Sequence, residues 1–296
     1  MNVLQAFRLN FLFFLLIGIL MGDLWGDSSG LKHTVRIQTD VSGKLSYLES
    51  GAGRETYLLL PGIGETKEGY LELVGILSER GRVFSLDLPG QGGSGRDFPE
   101  YSALGVAKVT IGFLEEIQKS KNIGKVTLVG SSLSAASAVY IGAERPDLVN
   151  RIVLSGPFVR DHDMSLGIKI LIWSGFRGFW GPGFWGQYYR DLHITVKPED
   201  LDTHSEYLEK NLREENRLEI LREYLFSSKE GCSEKLNQIK IPVDIVMGGK
   251  DPDFSDPKGE AEWIAKMTGG RIYIFEDSGH YPHREEPRRF AEILFQ

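Results

Sequence analysis

From His33 onward, short runs of β-branched and aliphatic residues alternate with longer stretches compatible with helix. That alternation predicts crossover units of a mostly parallel sheet. Eight runs carry the pattern: Thr34 to Gln38, Lys44 to Glu49, Thr56 to Leu60, Arg82 to Asp87, Lys125 to Val129, Arg151 to Ser155, Val243 to Met247 and Arg271 to Phe275. The turn Asp40 to Gly43 between the first two is too short for a crossover, so these two are expected to pair as an antiparallel hairpin on the sheet edge. The fourth, fifth and sixth runs are nearly continuously apolar, as strands must be when helices cover both faces of a parallel sheet. From Gly156 to about Lys240 the alternation stops, giving way to Trp, Phe and Gly and then to charged helical sequence. Such a stretch exceeds any simple loop and is expected to form a helical cap between two strands. The fold class is therefore α/β: an eight-stranded mostly parallel sheet with helices on both faces, a core over 31–155 and 241–296, and a cap over 156–240.

Composition adds bounds. The 296 residues are 41% hydrophobic and 25% charged, ordinary for a globular chain with a large core. The formal charge of -7 comes with no clustered Lys or Arg to meet a run of phosphates, which argues against nucleic acid as a partner. Cys232, the lone cysteine, has no partner for a disulfide or a zinc site and reads as an inert thiol in a helical region. The segment 1–30 stands apart. Phe11 to Met21 is an uninterrupted apolar run with Arg8 before it and Asp23 and Asp27 after it. Three readings stay open for it: a cleaved signal, an uncleaved membrane anchor, or an apolar helix lying on the folded domain. The first two make the chain exported or membrane-associated through this segment.

Candidate chemistry sits just beyond the carboxyl ends of strands, where parallel sheets place their sites. After the fifth strand comes Gly130-Ser131-Ser132-Leu133-Ser134, followed by the helix-forming AASAVYIGAE. A sharp strand-to-helix turn holds its central residue above the sheet in strained geometry, and requires small residues two before and two after it. Gly130 and Ser134 meet that need, although Ser134 stands where glycine is commoner. Gly248-Gly249-Lys250-Asp251-Pro252 follows the seventh strand and Asp277-Ser278-Gly279-His280 the eighth. Ser132, Asp251 and His280 thus occur in chain order at three strand ends. Asp253, Asp256, Asp161 and Asp163 remain alternatives for the acid.

With these motifs in hand, the chain resembles the α/β-hydrolase fold superfamily from His33 to Gln296. Leu58 to Gly64 is similar to the loop that supplies one oxyanion-hole amide in that family, with Pro61 in place of its common histidine. Asp87-Leu88-Pro89-Gly90-Gln91-Gly92-Gly93-Ser94 resembles the family's D-x-P-G-x-G-x-S turn. The resemblance implies that Ser132 attacks a carbonyl, that His280 takes its proton, and that the carboxylate fixes the imidazole tautomer. It further implies oxyanion donors at the Ile63 and Leu133 amides and no metal or organic cofactor.

Other signals are discounted. Gly90-x-Gly92-x-x-Gly95 fits a dinucleotide fingerprint, but Pro89 precedes it and Arg96-Asp97-Phe98-Pro99 follows where a helix should open. His280 and His283 have Pro282 between them and no third ligand, so His283 reads as a polar residue at the start of the last helix. The aromatics Trp173, Phe176, Phe179, Trp180, Phe184, Trp185, Tyr188 and Tyr189 read either as cap packing or as pocket lining, with Trp180 and Trp185 the candidates for substrate contact. The expected partner is a small or medium apolar ester. A lyase, perhydrolase or carbon-carbon bond hydrolase of the same fold, or a non-catalytic ligand-binding scaffold, are the alternatives.

Overall fold

The computed structural model describes residues 32–37, 43–162 and 166–296. The apolar run Phe11 to Met21 and the alternative acid Asp163 lie outside them. No helix among the described residues is long and apolar enough to cross a membrane.

Eight strands form one sheet: β1 Lys32–Ile37, β2 Lys44–Ser50, β3 Glu55–Leu60, β4 Gly81–Leu86, β5 Val126–Ser131, β6 Val149–Ser155, β7 Val243–Gly248 and β8 Arg271–Phe275. Their order is β1-β2-β4-β3-β5-β6-β7-β8. β2 pairs antiparallel with β1 and β4, so the expected edge hairpin is present, and every other pairing is parallel. Strand bounds agree with the sequence reading to within two residues at each end, β8 being identical, and the differences fall where ladders fray. The helices are α1 Leu71–Ser78, α2 Ala103–Lys121, α3 Leu133–Glu144, α4 Leu166–Gly175, α5 Gly181–Asp191, α6 Leu201–Leu212, α7 Arg217–Phe226, α8 Glu230–Ser233, α9 Pro257–Thr268, α10 Pro282–Glu285 and α11 Pro287–Leu294.

Because successive strand side chains point to opposite faces, continuous apolar strands fill two cores at once. Leu58 and Leu60 of β3, Leu128 of β5 and Ile245 of β7 join one cluster with Val106 and Phe113 of α2, Val139 of α3 and Ile264 of α9. Tyr57 and Leu59, Val129 and Val246 join the other, with Leu73 and Leu77 of α1 and Phe290 and Leu294 of α11. Local chemistry starts two of these helices. The Ser102 hydroxyl accepts from the Gly105 amide at 3.0 Å before α2, and Asp256 accepts from the Gly259 amide at 3.0 Å before α9.

Helices α4 to α8 lie between β6 and β7. α6 and α7 dock on the turn after β4, whose buried Asp87 accepts from the Lys67 amide at 2.8 Å, the Lys67 ammonium at 2.7 Å and the Gly93 amide at 2.8 Å. Onto that fixed turn, Asn211 exchanges two 3.1 Å hydrogen bonds with the Gly92 backbone, Arg217 donates to Gly90 O at 3.0 Å, and Tyr224 donates to Pro89 O at 3.0 Å. Cys232 and Leu236, expected in the cap, pack into the main core. Burial pushes the Cys232 thiol up to about 12, which leaves it protonated and unreactive. Gly90 to Gly95 forms a turn, and the next helix begins only at Ala103.

Candidate active site

Ser132 joins β5 to α3 with φ 54° and ψ −124°, a left-handed backbone that a residue with a Cβ adopts only under constraint. Three hydrogen bonds impose it. The Ser132 amide donates to Ser155 O at 2.9 Å, and its carbonyl accepts from the Ala135 amide at 3.0 Å and the Phe158 amide at 3.2 Å. A Cβ at Gly130 would stand 2.4 Å from Ser134 O, so only glycine allows the chain to pass itself here. Ser134 has its own use: the buried hydroxyl donates to Pro61 O at 2.6 Å and ties the elbow to the loop after β3. Ser131 is wholly buried, whereas Ser132 keeps 8% of its surface open.

The loop after β3 passes over Ser132, since a Cβ on Gly62 would lie 3.1 Å from Ser132 Cβ and 3.7 Å from its Oγ. Ile63 follows in that loop. Leu133 is the first residue of α3, where helix N–H groups have no acceptor within the helix. The two amides proposed as oxyanion donors therefore belong to segments that meet at Ser132.

His280 Nδ1 lies 2.7 Å from Asp251 Oδ2, and both side chains are buried. Among the alternative acids, Asp161 accepts from Ser228 and from the Lys229 amide, and Asp256 caps α9. Neither is bonded to His280. Burial works against a charged imidazole, but the Asp251 charge and hydrogen bond outweigh it, with Asp253 and Glu285 behind, and push His280 up to about 9. Phe158 links His280 and Ser132: its amide bonds Ser132 O, while its ring lies 5.6 Å from the His280 ring and stacks on Phe254 at 4.5 Å.

Asp253, an alternative acid in the sequence reading, supports Asp251, and Glu65 was not singled out in the sequence at all. Asp253 donates its amide to Asp251 Oδ1 at 3.0 Å, and its carboxylate accepts the Tyr188 hydroxyl, 2.7 Å from each oxygen. Burial and the neighbouring Asp251 charge raise Asp253 to about 6 against the pull of His280. Asp251, Asp253 and His280 each present a ligand atom within 4.8 Å of one another, but Asp251 and His280 already engage theirs with each other. Glu65, two residues beyond Ile63, is buried and accepts from His204 Nε2 at 2.6 Å, from the Thr66 amide at 2.7 Å and from the Tyr189 hydroxyl. Burial would raise it, yet the His204 ring, the Arg284 guanidinium and the Tyr189 hydroxyl bring it down to about 2.

The cap aromatics divide. Trp185 is buried with its indole N–H on Gly64 O at 3.0 Å. Trp180, the other aromatic expected to contact substrate, is 54% exposed and donates to Ser174 O at 3.1 Å. Phe179 and Trp173 are exposed with it. His283 lies at the start of α10 and is buried; it stacks on Tyr70 at 4.4 Å and meets Ser155 Oγ at 3.1 Å.

The family described as "Alpha/beta hydrolase family" matches residues 57–293. The chain belongs to that family. Among curated relatives, a 2-hydroxy-6-oxononadienedioate/2-hydroxy-6-oxononatrienedioate hydrolase of Paraburkholderia phymatum is 26% identical over 85% of this chain and 89% of its own length. A pimeloyl-[acyl-carrier protein] methyl ester esterase of Neisseria meningitidis is 24% identical over 79% and 89%. Among solved structures, an esterase from Exiguobacterium antarcticum superposes with a TM-score of 0.73 at 21% identity, covering 89% of this chain and 98% of that one. This α/β hydrolase thus shares its fold with esterases, and the hydrolase class follows from the family.

Proposed function

We propose that the protein is a serine hydrolase of carboxylic esters with a small or medium apolar acid, working through Ser132, His280 and Asp251. The observation that carries the reading is the buried 2.7 Å His280 to Asp251 contact beside a strained serine elbow. With Nδ1 engaged by Asp251, Nε2 is the nitrogen left to exchange protons with Ser132. Ser132 Oγ attacks the ester carbonyl as Nε2 takes its proton, and the carbonyl oxygen becomes an oxyanion facing the Ile63 and Leu133 amides. Collapse breaks the acyl–alkoxy bond, and the imidazolium gives its proton to the departing alcohol. Water, deprotonated by His280, then attacks the acyl-serine, and return of that proton to Ser132 releases the acid. No cofactor enters these steps.

The apolar preference rests on the rings gathered near the site. Phe158 stands beside His280 and stacks on Phe254, and Phe176, Trp185 and partly buried Tyr188 form a cluster that Ile63 joins. The two relatives' names, one a methyl ester esterase, support hydrolysis without fixing the acid. We further propose that Phe11 to Met21 takes the chain to or across a membrane. Turnover of aryl esters of graded acyl length tests the main reading: rates should rise with added methylenes, each worth about 0.8 kcal/mol, and then fall. Ser132→Ala should abolish all of it. Ester turnover that survives Ser132→Ala would defeat the reading, and no turnover by the native protein would favour a ligand-binding scaffold.

A further inference from the structure

Trp185, Tyr188 and Tyr189 are spaced i, i+3 and i+4 on α5, so they share one face of that helix. Each donates a hydrogen bond to a core loop at the site: Trp185 to Gly64 O at 3.0 Å, Tyr188 to Asp253 at 2.7 Å, and Tyr189 to Glu65. We propose that this face of α5 is a positioning element that sets both the oxyanion loop and the triad acid, so that the cap is part of the catalytic frame as well as a cover. The inference rests on the triad reading given above.

The two tyrosines act by the same local logic. Tyr189 holds the Glu65 side chain, with His204 of α6 on the other oxygen. The Glu65 amide in turn donates to Gly62 O at 3.3 Å. Gly62 C=O and Ile63 N–H belong to one peptide plane and point in opposite directions. Fixing that carbonyl toward Glu65 therefore fixes where the Ile63 N–H points. Gly64 adds a second constraint. Its φ is +68°, and a Cβ there would fall 2.1 Å from the Trp185 ring, so the loop and the indole fit only with glycine between them.

Tyr188 does the equivalent for the acid. It holds the Asp253 carboxylate, and the Asp253 amide donates to Asp251 Oδ1 at 3.0 Å, leaving Oδ2 for His280 at 2.7 Å. In each case a cap tyrosine grips the side chain two residues beyond the functional one, and the backbone N–H of the gripped residue sets the functional group. Among the described residues, the titratable groups facing His280 are Asp251, Asp253 and Glu285, with Tyr188, His193, Tyr281 and His283 around them.

Tyr188→Phe and Tyr189→Phe in the full-length protein test this, because each removes one hydroxyl and keeps the ring. With a short aryl ester, each should lower kcat about tenfold or more, the worth of a hydrogen bond to a charged acceptor, while KM stays within about twofold. Their signatures should differ. Tyr188→Phe loosens the carboxylates that support His280 and should move the acid limb of the kcat/KM pH profile down. Tyr189→Phe should leave that limb in place and slow labelling by an organophosphonate, whose developing negative charge needs the oxyanion donors. A rise in KM at unchanged kcat in both variants would show that the face only lines the pocket. Loss of activity that tracks a lowered Tm and recovers on cooling would show that it only packs. Either result overturns the proposal, whereas an active Ser132→Ala measured alongside would instead remove the triad reading on which it rests.

Discussion

His280 is held between opposing influences, and its pH behaviour follows from them. Burial disfavours the imidazolium, but Asp251 at 2.7 Å and the nearby Asp253 and Glu285 raise its value from 6.5 to about 9. A base must be neutral to accept a proton, so kcat/KM should fall as pH drops through the raised value, with an acid limb above 6.5. Asp251→Asn removes the charge and favours the wrong tautomer. It should lower kcat by about four orders of magnitude and bring the limb down, with the fold intact by circular dichroism. A limb that does not move in this variant would point to another acid. Linkage gives the complementary sign for folding: the stability supplied by the His280 pair is whole below 6.5 and fades as pH rises through about 9. Ser134 makes a quieter case. The sequence reads it as a small residue in a glycine position, and the structure buries it completely. Its bond to Pro61 O joins residues 73 apart in the chain, a contact that no local pattern announces. Ser134→Ala leaves that buried carbonyl without its donor and should cost about 1 kcal/mol in chemical denaturation.

At the scale of elements, the strands were legible because a two-residue period and apolar continuity follow directly from covering a sheet on both faces. Their order was not, since nothing in a strand's own residues says that β4 lies between β2 and β3. The helices between β6 and β7 were legible as an interruption of the alternation, but which of their residues are buried was not. Trp180 and Trp185 look equivalent in sequence, yet one is half exposed and the other is buried against Gly64. Trp180→Ala should accordingly leave the acyl-length profile unchanged within about twofold, as surface changes usually do. A flattened profile in that variant would return Trp180 to the pocket. Glu65 lies within a recognisable loop, but the partners that hold it ionised come from α5 and α6, more than a hundred residues on. Its value is lowered from 4.5 to about 2, so the stability it supplies is present above 4.5 and lost as pH falls toward 2. Urea titrations of Glu65→Gln should show a flatter stability profile across that interval than the native chain. Identical profiles would mean that the carboxylate's charge plays no part in joining cap to core.

Across the whole molecule, the sheet sets where chemistry can occur. β5, β7 and β8 run parallel, and the turns at their carboxyl ends carry Ser132, Asp251 and His280 to one edge. Chain order and strand ends single out these three residues in the sequence, and the structure brings two of them, Asp251 and His280, into contact at 2.7 Å. With β1 beginning at Lys32, removal of the first thirty residues should leave a soluble, folded and active protein. Release of the truncated form from a membrane fraction that retains the full chain would support an anchor, while misfolding would favour a helix packed on the domain. The central claim is that the elbow presents one serine to one base. Peptide mapping after reaction of the folded protein with an organophosphonate tests it most directly. The account predicts a single adduct on Ser132, lost in His280→Ala. An adduct on the buried Ser131, or none on active folded protein, would contradict it.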